Sequence, residues 1–418
     1  MRCTKLSGCL LAAIVMSVCF ATVPTLAQQV TLPDIDTSGS PNGIVPFPPD
    51  TPAVFTDVFS KYTKLIAPGG KPIHFLIQDA WSDDKIIKTR NIMQHILTDF
   101  PGSEYGDDKS AVANAMADRK ATMTMFNTSV AANEARQGSF GRGATDLFRQ
   151  SLWENETTAE GSEDYMNHIT RDAAYEEVLH LVQGSGIMPA LPEFQAKILA
   201  ATEAATDRGW GPPNDNPPGW HFEYFAQQFD NYLDLWAVKP KKYEGRDLQP
   251  GRIPDGTSHF GQNEANSRAT LLKTDPVGYE IETSFFHPYL TYTPLLPPEF
   301  QGTFSLEFDE STPYTYKSQH LRSVTLRGDN DARLRGNRHE NVLRGNAGDN
   351  VLRGGGADDQ LHGGGGRDTA IFSGVQADYV ITEHDGYLTV ADRRLGRDGT
   401  DLLTSIEILQ FRDQQIER

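Results

Sequence analysis

Short apolar runs and helical spacings alternate in the first two thirds of the chain. Residues 73–77 and 121–126 are apolar runs of strand length. Between them, apolar side chains recur at helical spacing over 84–97, with Ser82 and Asp83 available as caps. This pattern predicts a globular region that mixes strands and helices, and we place it at 52–320.

Helical patterns dominate the middle of the chain. They cover 172–182, 192–206 and 222–236, and Gly184-Ser185-Gly186 is expected to end the first of these helices. Residues 209–219 are rich in Gly and Pro and are predicted to form a loop. Pro, Tyr, Thr and Phe are frequent over 239–319, which favours short strands and loops.

A nine-residue repeat follows. Its leucines are Leu334, Leu343, Leu352 and Leu361, and Leu326 precedes them by eight. The repeats start at Gly336, Gly345, Gly354 and Gly363 and read GNRHENVLR, GNAGDNVLR, GGGADDQLH and GGGGRDTAI. A flexible Gly-rich linker is the alternative interpretation, but linkers lack such a register of leucines.

The repeat resembles the RTX, or hemolysin-type, nonapeptide G-G-x-G-x-D-x-U-x, where U is a large aliphatic residue. The resemblance implies a parallel β-roll over 321–374 with calcium ions bound between its coils. Gly permits the positive φ angles of the tight turns, and calcium prefers six to eight oxygen ligands. The predicted calcium ligands are Gly345, Ala347, Asn350, Gly354, Gly356, Asp359, Gly363, Gly365 and Asp368. Residues 326–341 are interpreted as a degenerate cap of the roll.

The last segment, 375–418, contains alternating apolar and polar runs. They lie at 379–382 and 387–390, with Asp385-Gly386 as a hairpin turn between them. We interpret this segment as a small β cap without a site of its own.

The first 27 residues are typical of a secretory signal. Arg2 and Lys5 precede an apolar run, and Thr25-Leu26-Ala27 offers a cleavage site before Gln28. An uncleaved anchor is the alternative. Residues 28–51 are predicted to form an extended leader or linker, and no later run has the length and apolarity of a membrane span.

Cleavage would change both the cysteine content and the charge. Cys3, Cys9 and Cys19 lie within the signal, so the mature chain would be stabilised by packing or metal rather than by disulfides. Losing Arg2 and Lys5 would take the net charge from -18 to -20. This acidity favours divalent cations and disfavours nucleic acid and anionic membranes.

A second candidate metal site lies upstream, in Glu176-Glu177-Val178-Leu179-His180. Glu176 and His180 are four residues apart and share a helix face, and Glu223 lies on a later helix. The layout resembles the gluzincin metallopeptidases, which pair H-E-x-x-H with a later glutamate. The resemblance implies zinc ligands at Glu176, His180 and Glu223 and a base at Glu177, although Glu176 replaces the first histidine. The alternative is a polar helix face with a Glu–His contact.

Together these patterns predict a multidomain α+β protein. A mainly helical α+β globular domain would precede the parallel β-roll and its cap. The favoured function is a secreted, extracellular calcium-binding protein with an unknown partner. The alternative is a secreted metal-dependent hydrolase, such as a peptidase, that uses zinc to act on an unknown substrate and carries the repeats as a folding and export module.

Overall fold

The computed structural model describes residues 29–211, 219–243, 245–258 and 264–418. The predicted signal at 1–27 and its cleavage site before Gln28 lie outside the described residues. Most of the predicted loop at 209–219 also lies outside them, since 212–218 are not described.

The first part of the chain is built on a five-stranded sheet in the order β1-β2-β3-β4-β5. Strands β3, β4 and β5 run parallel, whereas β2 is antiparallel to both β1 and β3. The predicted strands at 73–77 and 121–126 are confirmed as β3 and β4. The bounds are β1 Val45–Pro46, β2 Lys61–Ile66, β3 Pro72–Ile77, β4 Ala121–Phe126 and β5 Phe148–Trp153.

Helices pack around this sheet. The predicted helix at 84–97 is confirmed as α2, and the Ser82 hydroxyl accepts a hydrogen bond from the Lys85 amide at its start. The helices up to the middle of the chain are α1 Ala53–Thr56, α2 Asp83–Leu97, α3 Ser110–Asp118, α4 Ser129–Gln137, α5 Glu163–Met166 and α6 Ala174–Val182. Those that follow are α7 Met188–Ala190, α8 Pro192–Asp207, α9 Trp220–Tyr232, α10 Arg268–Thr274 and α11 Pro276–Phe285. A short hairpin of β6 Lys242–Tyr243 and β7 Arg246–Asp247 lies between α9 and α10.

The glycines after α6 do not end the helical path, so that expectation is wrong. The chain continues through a π-helical turn, Gln183–Ile187, into α7. A Cβ atom at Gly186 would lie 2.8 Å from side-chain carbons of Met116 and Val112. The glycine therefore allows this turn to pack closely against α3.

The predicted extended leader at 28–51 needs a correction over its described part. Leu32 and Ile35 are buried, and β1 pairs with β2 at the edge of the sheet. Val30 also forms a bridge with Thr145. Sparse apolar residues anchor this segment to the sheet even though they show no periodicity.

The C-terminal part contains two six-stranded sheets. Successive strands from β8 to β14 alternate between them, and each pairs in parallel with a strand of the same sheet, as Leu334 does with Leu352 and Leu343 with Leu361. The repeat leucines are buried between the sheets. This layout fits a β-roll. The elements are β8 Gly302–Ser305, α12 Thr315–Ser318, β9 Ser323–Thr325, β10 Ala332–Arg335, β11 Val342–Arg344, β12 Val351–Arg353, β13 Gln360–His362 and β14 Thr369–Ile371.

The segment after the repeats continues both sheets. Strand β17 pairs in parallel with β13, and β18 pairs in parallel with β14. The antiparallel hairpin of β15 and β16 turns at Asp385-Gly386 as predicted. The bounds are β15 Tyr379–His384, β16 Tyr387–Asp392, β17 Thr400–Thr404, β18 Ile408–Gln410 and β19 Gln415–Glu417. Among the described residues, every helix is too short or too polar to cross a membrane.

Candidate metal sites

The sixth residue of each repeat lies at a turn between the two sheets. Asp359 Oδ1 accepts a hydrogen bond of 2.8 Å from the Asn341 amide, and Asp368 Oδ1 accepts one of 2.8 Å from the Asn350 amide. The Oδ2 atoms of Asp359 and Asp368 are buried and have no hydrogen-bond partner among the described residues. Each aspartate therefore offers one free carboxylate oxygen in a buried turn.

Asn341 and Asn350 occupy the same position but bond differently. Asn350 Oδ1 accepts from the Asn346 amide of its own turn at 2.7 Å, and Asn341 Oδ1 accepts from the Asn337 amide at 2.7 Å. Asn350, a predicted calcium ligand, thus already uses its side-chain oxygen to close its turn. The aspartates are the better placed of these four residues to contact an ion.

The predicted glycine ligands lie in tightly packed turns. A Cβ at Gly354 would collide with Asp359 Oδ2, and a Cβ at Gly363 would collide with Asp368 Oδ2. At Gly345 it would collide with the Gly363 carbonyl oxygen. Only glycine leaves this space open beside the free carboxylate oxygens.

The third-position residues join stacked turns on both sides of the repeat region. The amides of Ala347, Gly356 and Gly365 each donate to the second-position carbonyl of the preceding turn in the same column. These hydrogen bonds measure 3.2, 2.9 and 2.8 Å, and their acceptors are the carbonyls of Gly328, Asn337 and Asn346. The backbone therefore holds all the predicted ligand positions in two stacked columns of turns.

The electrostatics of the turns favour a bound cation. Burial, reinforced by Asp358 and Asp398, raises the pKa of Asp359 to about 8. Burial, reinforced by Glu407, raises the pKa of Asp368 to about 6. A calcium ion supplies the positive charge that such carboxylates lack, and it accepts oxygen ligands in flexible geometry. The residues present fit the ion.

Helices α6 and α9 bring the upstream candidates together. One ligand atom each from Glu176, His180 and Glu223 lies within 4.8 Å of the others. His180 Nε2 is 4.0 Å from Glu223 Oε1 and is buried without a hydrogen-bond partner among the described residues. One imidazole nitrogen and two carboxylates this close together are a donor set that fits a divalent transition metal.

Glu177 lies beside this cluster rather than in it. Its Oε2 is 3.4 Å from His180 Nδ1 and accepts a hydrogen bond from the side-chain amide of Gln150 on β5. A carboxylate at Nδ1 fixes the orientation of a histidine whose Nε2 points at a metal. Glu177 therefore has an orienting contact in addition to its predicted role as a base.

Arg171 is a neighbour that sequence reasoning missed. Its guanidinium binds the Glu176 carboxylate and, at 2.8 Å, Asp230 Oδ2. This contact offsets the negative charge that Glu176 brings in place of a neutral histidine. It also directs Asp230 to Arg171 instead of to the cluster.

Two other nearby side chains have partners elsewhere. The carboxylate of Asp172, just before α6, binds the buried ammonium group of Lys88. His221 Nδ1 lies 3.2 and 3.3 Å from the side-chain amides of Gln183 and Gln195. His221 thus already uses one ring nitrogen in contacts with these two amides.

The charges of the cluster perturb its own groups. Burial disfavours the imidazolium of His180, but Glu177, Glu176 and Glu223 outweigh this effect and raise its pKa to about 9. Burial and the neighbouring carboxylates raise the pKa of Glu223 to about 7. The cluster adjoins a cavity of about 440 Å³, which Gln150, His180, Trp220 and Glu223 help to line. A small molecule could therefore reach the cluster.

Comparison with known proteins identifies the class of the C-terminal region. Residues 335–370 match the family model of the RTX calcium-binding nonapeptide repeat, in four copies. The predicted RTX resemblance is thereby confirmed for this region. No curated protein matches the chain.

A solved structure is also similar to the chain: the extracellular lipase LipA from Serratia marcescens. The identity is 12%, and the alignment covers 84% of this chain and 54% of the lipase, with a TM-score of 0.29. The chain thus spans about half the length of that lipase. At this TM-score the likeness carries no argument about fold or activity. The gluzincin resemblance finds no support in these comparisons and stays a prediction.

Proposed function

We propose that this chain is a secreted protein whose C-terminal β-roll is ordered by calcium outside the cell. The observation that carries the proposal is the pair of buried, unpartnered carboxylate oxygens on Asp359 and Asp368. An unpaired carboxylate in a buried turn is costly unless a cation compensates it. The match to RTX calcium-binding repeats supports the same ion.

The turns supply the ligands in this proposal. Asp359 and Asp368 would each give a carboxylate oxygen, and the backbone of the predicted glycines and Ala347 would give carbonyl oxygens. Because the ligands come from turns on different coils, ion binding and coil stacking stabilise each other.

The test is calcium stoichiometry in the full chain. In the double variant Asp359→Asn and Asp368→Asn, isothermal titration calorimetry should detect fewer bound calcium ions than in the wild type. The matched control is Asp385→Asn, at the exposed tip of the hairpin. Equal stoichiometry in the double variant and the control would refute these sites.

We further propose a metal-dependent hydrolytic site at Glu176, His180 and Glu223. The observation that favours it is the convergence of the three ligand atoms beside a cavity. A divalent metal held there would act as a Lewis acid and activate water. The substrate would enter along β5, whose Phe148 and Gln150 line the cavity.

The residues of the chain have separate roles in this second proposal. Glu177 would accept a proton from water and orient His180 through Nδ1. Gln150 would hold the Glu177 carboxylate in place, and Arg171 would do the same for Glu176.

Metal analysis tests this site. The full chain, purified in excess calcium, should retain about one zinc ion per molecule, as expected for a site with three protein ligands. Glu223→Gln and His180→Ala should abolish this zinc, whereas Glu203→Gln, at an exposed position of α8, should keep it. Zinc binding that is equal in all these variants would place the metal elsewhere.

A further inference from the structure

A second cavity adjoins the one at the metal cluster. It has a volume of about 550 Å³ and is lined by Arg136, Arg142 and Arg149 together with Phe126, Phe140 and Phe148. We call it the arginine pocket. Phe148 and Arg149 on β5 also line the cavity beside His180 and Glu223, so the two cavities share a wall.

The charged residues that line the arginine pocket are all positive. Its lining contains three arginines and no Asp or Glu. None of these arginines forms an ion pair with any residue that the structure describes: Arg136 contacts the Ser151 hydroxyl at 3.1 Å, and Arg149 donates to the Phe140 carbonyl at 2.9 Å. Unpaired guanidinium groups are unexpected in a chain of net charge -18, where carboxylates are plentiful.

The arginines share one cavity with aromatic rings. The guanidinium of Arg149 lies 4.4 Å from the centre of the Phe140 ring. Burial, together with the charge of Arg136, lowers the pKa of Arg149. Clustered like charges repel one another, and a bound anion would relieve this repulsion. The rings meanwhile offer an apolar surface beside the charges.

We propose that the arginine pocket binds the anionic group of a small molecule with an aromatic or apolar body, and so selects the substrate of the neighbouring metal site. Guanidinium groups favour carboxylate, sulfonate or phosphate oxygens, since they donate hydrogen bonds in a planar fork. The shared wall of Phe148 and Arg149 would place the rest of the molecule beside Glu223 and His180. The choice of substrate class rests on the proposed hydrolytic function, but anion binding itself does not.

Benzenesulfonate is a suitable probe, because a sulfonate is a weak metal ligand and reports on the arginines. Isothermal titration calorimetry on the full chain in excess calcium should show binding at least about tenfold tighter than that of methyl phenyl sulfone, a neutral analogue, a ratio equal to about 1.4 kcal/mol. Arg136→Gln combined with Arg149→Gln should weaken benzenesulfonate binding by about tenfold or more. Arg142→Glu, at an exposed position, should weaken it as well.

Two controls separate the possible outcomes. Arg394→Gln, an exposed arginine of the C-terminal cap, should leave the affinity unchanged. Glu223→Gln should lose zinc but keep benzenesulfonate, so failure of the metal site would leave the pocket intact. Equal binding of the sulfonate and the neutral sulfone, or unchanged affinity in both the Arg142→Glu and the double variants, would overturn the proposal.

Discussion

At the scale of single residues, Ala357 illustrates how the repeats depart from their consensus. It occupies the fourth position of its repeat, where the consensus has glycine, and its φ is 65°. A left-handed conformation costs a non-glycine residue about 1–2 kcal/mol. The turn at 354–359 therefore carries backbone strain that one substitution would remove.

Ala357→Gly should stabilise the calcium-loaded roll by up to about 1 kcal/mol, because relief of the left-handed strain exceeds the entropy cost of glycine. Urea unfolding in excess calcium measures the change. The control is Ala347→Gly, at the third position of the preceding repeat. Ala347 has no positive φ, so the same substitution should destabilise the roll there. A loss of stability from Ala357→Gly would contradict this account of the turn.

Glu177 has two proposed roles, as the base that accepts a proton from water and as the carboxylate that orients His180. In Glu177→Gln we expect loss of hydrolysis together with a fall of about tenfold in zinc affinity, because the carboxylate beside His180 Nδ1 also orients the metal ligand. Zinc affinity is measured by competition with a chromogenic chelator, with Glu203→Gln as the control. Unchanged zinc affinity would leave Glu177 without an orienting role.

The candidate site shows what local sequence can and cannot predict. The spacing of Glu176 and His180 predicted a shared helix face, and the structure brings Glu223 to them from α9. Arg171 and Gln150 were missed. Arg171 lies in the loop before α6, and its contact with Glu176 depends on the conformation of that loop. Gln150 contacts Glu177 only because β5 packs beside α6. Tertiary contacts of this kind leave no periodic signal.

At the scale of elements, the π-helical turn after α6 depends on small residues. In the structure Gly186 lies against α3, where Met116 and Val112 leave no room for a side chain. A pattern of glycines in sequence is typical of helix ends, and for that reason it wrongly predicted a stop here. Close packing was the actual requirement.

Gly186→Ala should destabilise the protein by about 1–3 kcal/mol, the usual cost of overpacking a filled core. Chemical denaturation monitored by tryptophan fluorescence measures the loss. Gly39→Ala is the control, since a Cβ there would meet nothing within 4 Å and should change stability little. Equal stability of the two variants would show that α3 can move away at little cost.

Other elements differ in how well the sequence predicts them. Strands β3 and β4 and helix α2 were predicted within a few residues, because each has a strong apolar pattern of its own. The segment at 28–51 was not, since Leu32 and Ile35 are isolated apolar residues whose burial depends on a distant sheet. The parallel pairing of β17 and β18 with the repeat strands could likewise not be predicted from the sequence, because the β15–β16 hairpin interrupts the repeat.

At the scale of the whole molecule, specific contacts join the repeat region to the helical region. Arg327 pairs with Asp84 at the start of α2, and Leu290 and Leu295 form bridges with Leu321 and Thr325. Strand β8, at 302–305, is the first strand of one of the roll's sheets although it precedes the repeats. Calcium binding at the repeats should therefore also order the junction with the upstream region.

The central claim is that calcium orders the roll, and hydrogen exchange measured by mass spectrometry on the full chain tests it most directly. With calcium, peptides from 336–371 should be protected, because their amides join successive coils. After chelation the same peptides should exchange rapidly, while peptides from 72–126, in the sheet of the upstream region, should keep their protection. Equal protection of 336–371 with and without calcium would contradict the account.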